Sequence, residues 1–423
     1  MSRTPGRRAA LALTGGSLVA LLGLSACGGS GFDDGAATGG GSGDATGDGE
    51  LSILIGSSGP AETEAVEAAV AAWSEESGTA ATVTVAQDLP QQLAQGFAAG
   101  SPPDLFYVSA DLFQTYAQQG SLLAYGDDLE AADDFYPALV QSFTYDDQLY
   151  CAPKDFSTLA LEVDDGAWAE AGLTDADVPT TWDELAAVAQ QLQTPDRAGL
   201  TFAPEYARAG AFMAAAGGGL TNADQTEATA DSPENVEALT YLQGLLEDGS
   251  LRYPADIGAG WGGEALATGA AAMTVEGNWI SGIRTDYPDL DYSVFPLPAG
   301  PAGPATLTFT TCWGVSATTG DADAAVDLVD HLVSAEQQLA FAEAFGPMPS
   351  VQSAADAWRE AYPDQAAFLD GADVAQPVLN LPGSSDVVAD LNAQLEGLAS
   401  GDPAGILASV QGNLEPVVEA AGS

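Results

Sequence analysis

The chain of 423 residues is long enough for two or three domains with a sizeable core, and its 46% apolar content suits a globular protein. Its 61 acidic residues against 9 basic ones give a net charge of −52. A surface this negative repels nucleic acid and anionic lipid and argues against both as partners; a high-salt habitat or a lineage that avoids lysine would each account for it.

The first residues read as a targeting segment. Arg3, Arg7 and Arg8 precede an apolar run over 9–24 that is short for a membrane span and has the shape of a signal peptide's h-region. It ends in Leu24-Ser25-Ala26-Cys27, which resembles the lipobox of bacterial lipoproteins, and Gly28 and Gly29 suit that reading. An ordinary signal peptide that ends near a cysteine is the competing reading. The lipobox predicts a leader over 1–26, a lipid on Cys27, and attachment to the extracytoplasmic side of the cell membrane through that anchor alone. Residues 27–50, rich in Gly, Ser, Thr and Asp, have little to bury and read as a flexible tether. A coil of that length spans roughly 25 Å.

Strands and helices then alternate. Residues 51–55 (LSILI), 81–86 (ATVTVA) and 105–108 read as strands; 62–76, 91–99 and 112–119 read as the helices that follow them, the last stopped by Gly120. This βαβαβ order predicts a parallel sheet with helices on both faces. Thr181-Trp182-Asp183-Glu184 is a capping box that opens a helix to Leu192. Ser232-Pro233 opens another that runs to Gly249. Residues 306–317 read as strand, 323–345 as one long helix, and the tail from Asp386 as helix broken at Gly401 and Pro403. The whole predicts two α/β lobes with more than one crossing between them and a ligand cleft beyond the carboxyl ends of the strands.

Nothing in the chain points to catalysis or to a cofactor. The single His331 sits beside Asp330 in a helical pattern, and no metal-ligand cluster or phosphate-cradling glycine loop is present.

Over 51–350 the chain resembles the extracellular solute-binding proteins of family 1, which include maltodextrin-binding protein. The segments that carry the resemblance occur in order: Ser101-Pro102-Pro103-Asp104; Tyr116-Ala117-Gln118-Gln119-Gly120-Ser121-Leu122-Leu123; Tyr145-Asp146-Asp147-Gln148-Leu149-Tyr150 leading into Pro153-Lys154-Asp155; Thr181-Trp182-Asp183-Glu184-Leu185; Ala272-Met273-Thr274-Val275-Glu276-Gly277-Asn278-Trp279; Pro296-Leu297-Pro298-Ala299-Gly300-Pro301; and Gly346-Pro347-Met348-Pro349-Ser350. The resemblance implies a periplasmic-binding-protein type II fold, two α/β lobes joined by three hinge crossovers. It divides the chain into lobe 1 (51–155 and 312–347) and lobe 2 (156–311 and 348–423). It also implies a monomeric binding protein that carries a sugar to the permease subunits of an ABC importer. A binder of another small solute, such as a polyamine, is the alternative.

The same resemblance suggests site residues. A sugar offers apolar ring faces to aromatic side chains and hydroxyls to charged or amide groups. Asp111 matches a family aspartate that accepts sugar hydroxyls, or it caps a helix. Glu205 and Tyr206 match an acid–aromatic loop; a solvated carboxylate is the plainer reading of Glu205. Trp279 matches a ring-stacking tryptophan, with Asn278 beside it in place of the usual proline; the competing reading is a core tryptophan. Trp313, at the returning strand, faces cleft or core. Lys154, the one lysine, and Asp155 stand at a hinge, where Lys154 meets a sugar hydroxyl or simply pairs with Asp155. Ser58, beyond the first strand, completes the set. Trp73, Trp168, Trp182 and Trp358 read as structural and Trp261 is open. The maltodextrin binders carry an aromatic after Leu381-Pro382, absent here, which points to a smaller or differently held sugar. Finally, in an oxidising compartment with Cys27 lipidated, the family fold makes Cys151 and Cys312 neighbours on antiparallel strands. They then form a disulfide or remain two buried thiols.

Overall fold

The computed structural model describes residues 49–422. The expected leader, Cys27 and nearly all of the tether lie outside them.

The first half follows the apolar pattern closely. Strand β1 (Glu50–Ile55) is flanked in parallel by β2 (Ala80–Val85) and β3 (Leu105–Ser109), and the helices that follow the three strands in turn are Pro60–Ser77, Leu89–Ala99 and Ala110–Gln118. A short hairpin follows, β4 (Thr144–Tyr145) with β5 (Gln148–Leu149). Its two turn residues, Asp146 and Asp147, both have positive φ (49° and 60°), the geometry that a two-residue hairpin turn requires.

Two long strands then tie the molecule together. Strand β6 (Cys151–Asp164) is antiparallel to β9 (Thr306–Val315) along its first half. Along its second half it pairs with β7 (Met273–Gly277) and β8 (Tyr292–Phe295). Strand β9 also pairs antiparallel with β3, and β10 (Ala375–Pro377) joins its start in parallel. The resulting order β2-β1-β3-β9-β6-β7 is mixed, not purely parallel, because the chain returns through β9.

The cores divide around this sheet. Helices Pro60–Ser77, Ala322–Val333 and Ala335–Phe345 cover one face of β1, β3 and β9 with Val66, Val70, Trp73, Leu328 and Phe341. On the other face Leu93, Phe113, Phe143 and the two cysteines pack under the helices Leu89–Ala99 and Ala110–Gln118. A separate core gathers the helices Trp182–Leu192, Tyr206–Ala215, Pro233–Glu247, Ser384–Leu395 and Pro403–Ala421 against the far half of β6. The helix expected over 323–345 is two helices. Ser334 leaves helical geometry (φ −58°, ψ 147°), and its hydroxyl accepts from the Gln337 amide at 3.3 Å to start the second.

Cys151 and Cys312 are joined by a disulfide with Cα atoms 5.5 Å apart. They are not directly opposed. Cys151 faces Gly314 and Cys312 faces Pro153, so the bond runs diagonally across one face of the ladder. Gly314 leaves room for the side chains packed around the bond: a Cβ there would lie 2.7 Å from Val108 Cγ2 and 2.9 Å from Phe106 Cε2. Among the described residues no helix is long and apolar enough to cross a membrane.

Candidate functional site

The carboxyl end of β1 turns through Gly56-Ser57-Ser58, and that of β7 through Asn278 and Trp279. Both turns line one cleft of about 780 Å³, with the β6–β9 ladder between them and Phe345 and Pro347 at its side. Here the ladder is irregular. Pro153 pairs with Cys312 and Asp155 with Thr311, so Lys154 is the extra residue of a bulge. A bulged residue escapes the alternation of the strand. The Lys154 ammonium therefore reaches Glu62 (3.3 Å) and Asp155, and lies 4.7 Å from the ring centre of Tyr107.

Glu62 comes from the first turn of the helix after β1 and is buried. Four donors converge on its carboxylate: the Ser58 amide and hydroxyl, each at 2.7 Å, the Tyr107 hydroxyl at 3.1 Å, and Lys154. Burial pushes the Glu62 pKa up, but Lys154 and the Ser58 donors outweigh it and hold the group below the usual carboxylate value. For Asp155 burial prevails over Lys154, and its pKa is raised. Burial works against the charge of Lys154, yet Asp155, Tyr107 and Glu62 together keep its pKa above that of an ordinary lysine.

A second cluster stands at Trp279. The indole N–H donates to Glu276 Oε2 at 3.0 Å, and the ring meets Phe309 edge-on at 5.5 Å. Arg208 packs its guanidinium 5.5 Å from the same ring centre, donates to Glu276, and pairs with Glu205 at 3.2 Å. Behind Glu276 lies Glu162, which accepts the Glu276 amide at 3.0 Å.

Of the residues suggested by the sequence, Ser58, Lys154, Asp155, Asn278 and Trp279 line this cleft together. Ser58 is nevertheless committed, since its hydroxyl and amide both go to Glu62. Glu205 is half-exposed and meets the cluster only through Arg208. Three expectations are corrected. Trp313 is 1% exposed and stacks edge-on against Tyr107 at 4.6 Å, because the register Tyr107–Trp313 puts it on the core face of β9. Tyr206 is buried on the opposite side of its helix and lines a separate cavity of about 580 Å³ with Gln141 and Leu379. Asp111 is exposed in the first turn of its helix, makes no cap bond, and does not line the cleft. The separate cavity is bounded largely by the loop 217–223; the cleft holds the paired charges and the open aromatic, and it is the better candidate.

Sequence reasoning missed Glu62, Tyr107, Arg208, Glu276 and Phe309. Arg208 carried the same signal that singled out Lys154, a cation in a chain with 9 of them. Among the described residues no cluster of three or more potential metal ligands occurs.

The model of the bacterial extracellular solute-binding proteins matches residues 68–369. No curated protein matches the chain in sequence. Several solved structures share its fold. The cyclic α-maltosyl-1,6-maltose binding protein of Arthrobacter globiformis is 22% identical, with a TM-score of 0.76 over 88% of this chain and 99% of that one. The ABC substrate-binding protein of Listeria monocytogenes in complex with cycloalternan is 21% identical, TM-score 0.75, over 88% and 99%. UgpB of Mycobacterium tuberculosis in complex with glycerophosphocholine is 20% identical, TM-score 0.73, over 89% and 100%. The fold is thus the periplasmic-binding-protein type II fold. The family match spans well over half of the sequence, and the chain belongs to the bacterial extracellular solute-binding proteins, which work outside the cytoplasm.

Proposed function

We propose that this protein captures a sugar in the cleft between β1 and β7 and delivers it to the permease of an ABC importer. The observation that carries the reading is Trp279, a tryptophan left 39% exposed in the cleft while Trp73, Trp313 and Trp358 are at most 4% exposed. An aromatic face held open at that position forgoes burial that would favour folding, and it suits the apolar face of a sugar ring. The nearby polar groups, Lys154 with Glu62 and Asp155 and Arg208 with Glu276, offer hydrogen-bond partners to the hydroxyls of a sugar. The acids among them outnumber the cations, which makes a polyamine the proper contrast in the test. Similar folds, one in complex with cycloalternan and one a cyclic α-maltosyl-1,6-maltose binding protein, support the same class. With lobes over 51–155 and 156–311, Lys154 falls in one and Trp279 in the other, so a sugar that touches both favours the closed form; contact with one lobe alone would shift nothing.

The test is calorimetric titration with glucose, galactose, maltose, trehalose and maltotriose, with spermidine as the contrast. One sugar of the panel is expected to bind. Trp279→Ala should weaken it roughly 10- to 100-fold, the loss of one stacking face. Binding of spermidine alone, or an unaltered dissociation constant in Trp279→Ala, overturns the reading.

The lipid anchor is part of the proposal and rests on Leu24-Ser25-Ala26-Cys27. In a host that processes lipoproteins, Cys27→Ser is expected to lose metabolic palmitate label and to leave the membrane fraction or accumulate as precursor. Label and membrane retention equal to the unaltered protein would refute it.

A further inference from the structure

We infer that Glu276 is the positioning residue of the sugar platform, setting the plane of the Trp279 ring and the place of Arg208 beside it. This rests on the sugar reading above.

The argument begins with the cost of Glu276. It sits on β7 with a fully buried side chain, next to a second fully buried carboxyl group, Glu162, and the arginine beside them, Arg208, pairs with Glu276. One oxygen of each carboxyl group, Glu276 Oε1 and Glu162 Oε1, is buried without a hydrogen-bond partner among the described residues. Burial raises the pKa of Glu276 against the pull of Arg208, and burial with Glu276 beside it raises that of Glu162 further. An apolar pair of similar volume would serve stability at least as well. The fold even makes space for the acid: a Cβ on Gly262 would lie 2.6 Å from Glu276 Oε1.

What Glu276 holds are Trp279, which lines the cleft, and Arg208, which packs beside its ring. Its Oε2 accepts both the Trp279 indole N–H and an Arg208 guanidinium N–H. Gly277 completes the seat, since a Cβ there would lie 2.3 Å from Trp279 Cζ3, so the ring rests against bare backbone. A tryptophan this exposed would otherwise sample several rotamers and lose that freedom on binding. Fixing it beforehand removes the ordering cost from the binding step. Arg208, clamped at its other end by Glu205, is held against the ring as a second planar group.

Two measurements on the full-length mature protein test this. The first needs no ligand. Acrylamide quenching of the Trp279 signal, isolated by difference from Trp279→Phe, is expected to rise in Glu276→Gln, with a red-shifted emission. An unchanged difference signal overturns the inference, whatever the solute turns out to be. The second is a double-mutant cycle with the panel sugar that binds. Glu276→Gln should weaken it roughly 2- to 10-fold in the natural background and distinctly less in Trp279→Ala, where only the placing of Arg208 is left to lose. An equal loss in both backgrounds makes Glu276 a merely structural residue and overturns the inference. Should Gln at 276 prevent folding, Glu276→Asp, which keeps the charge but withdraws it from the indole, goes through the same two measurements with the same outcomes. If no sugar binds but the quenching changes as expected, the sugar reading fails and the positioning role stands.

Discussion

Replacing Cys151 and Cys312 together by alanine is expected to lower unfolding stability by as much as about 5 kcal/mol, the chain-entropy value for a loop of this length. The bond links positions 161 residues apart, so the loop it closes in the unfolded chain is long. Both cysteines are fully buried against Phe106, Phe143 and Leu122, and truncation also removes packing there. The bond joins β6 to β9 just where these strands leave the β1–β3 sheet for the rest of the molecule. Urea unfolding of the unaltered protein, with and without reductant, and of the double variant measures the difference. Coincident midpoints for all three samples would defeat the expectation, and so would alkylation of both cysteines in unreduced protein.

The sequence made one part of this architecture plain and hid another. The strands and helices from 50 to 118 were legible because each apolar run ends at its own local stop, such as Gly78, Gly100 and Gly120, all three with positive φ. The break at Ser334 was not, since the apolar spacing of 322–345 continues across it and the capping serine makes no interruption in that pattern. The bulge at Lys154 exists only against β9, and no single strand reveals which residue its partner will skip. For the same reason the facing of Trp313 had to await its register with Tyr107. Glu205 and Tyr206 open one helix, where successive side chains diverge by about 100°. Only one of them could turn toward the cleft, and the pattern could not choose. Neither lines it; Glu205, three residues before Arg208 and so on the same face, reaches the Trp279 cluster through that arginine. The buried acids Glu62, Glu162 and Glu276 looked like any other of the 61, because burial is a property of the assembled sheet and not of the residue.

Lys154→Met is expected to destabilise the protein by about 3–5 kcal/mol at neutral pH, the usual result of removing one partner from a buried ionic group. Methionine retains most of the stem that packs between Tyr107 and Phe345, so the loss is mainly electrostatic. The lysine side chain is 10% exposed, Glu62 4% and Asp155 21%, which leaves two largely desolvated carboxylates facing each other without a cation. Ser58 and Tyr107 still donate to Glu62, but neutral donors do not cancel a charge. The pH dependence identifies the cause. In the unaltered protein Glu62 is held below its ordinary value of 4.5, so its contribution is present above that pH and is lost as the pH falls through the lower folded value. In the variant the carboxyl groups have no counter-charge and their pKa values rise; Asp155, already raised by burial, rises further. Protonation toward pH 4 then removes the penalty in the variant, while in the unaltered protein Glu62, held below 4.5, stays ionised opposite Lys154. The stability gap should therefore be widest near pH 7 and close on acidification, as read by denaturant midpoints across pH 4–8. A gap independent of pH would show that the lysine acts by filling space, and a gap under 1 kcal/mol at neutral pH would show that water or a rearranged side chain already balances the two acids.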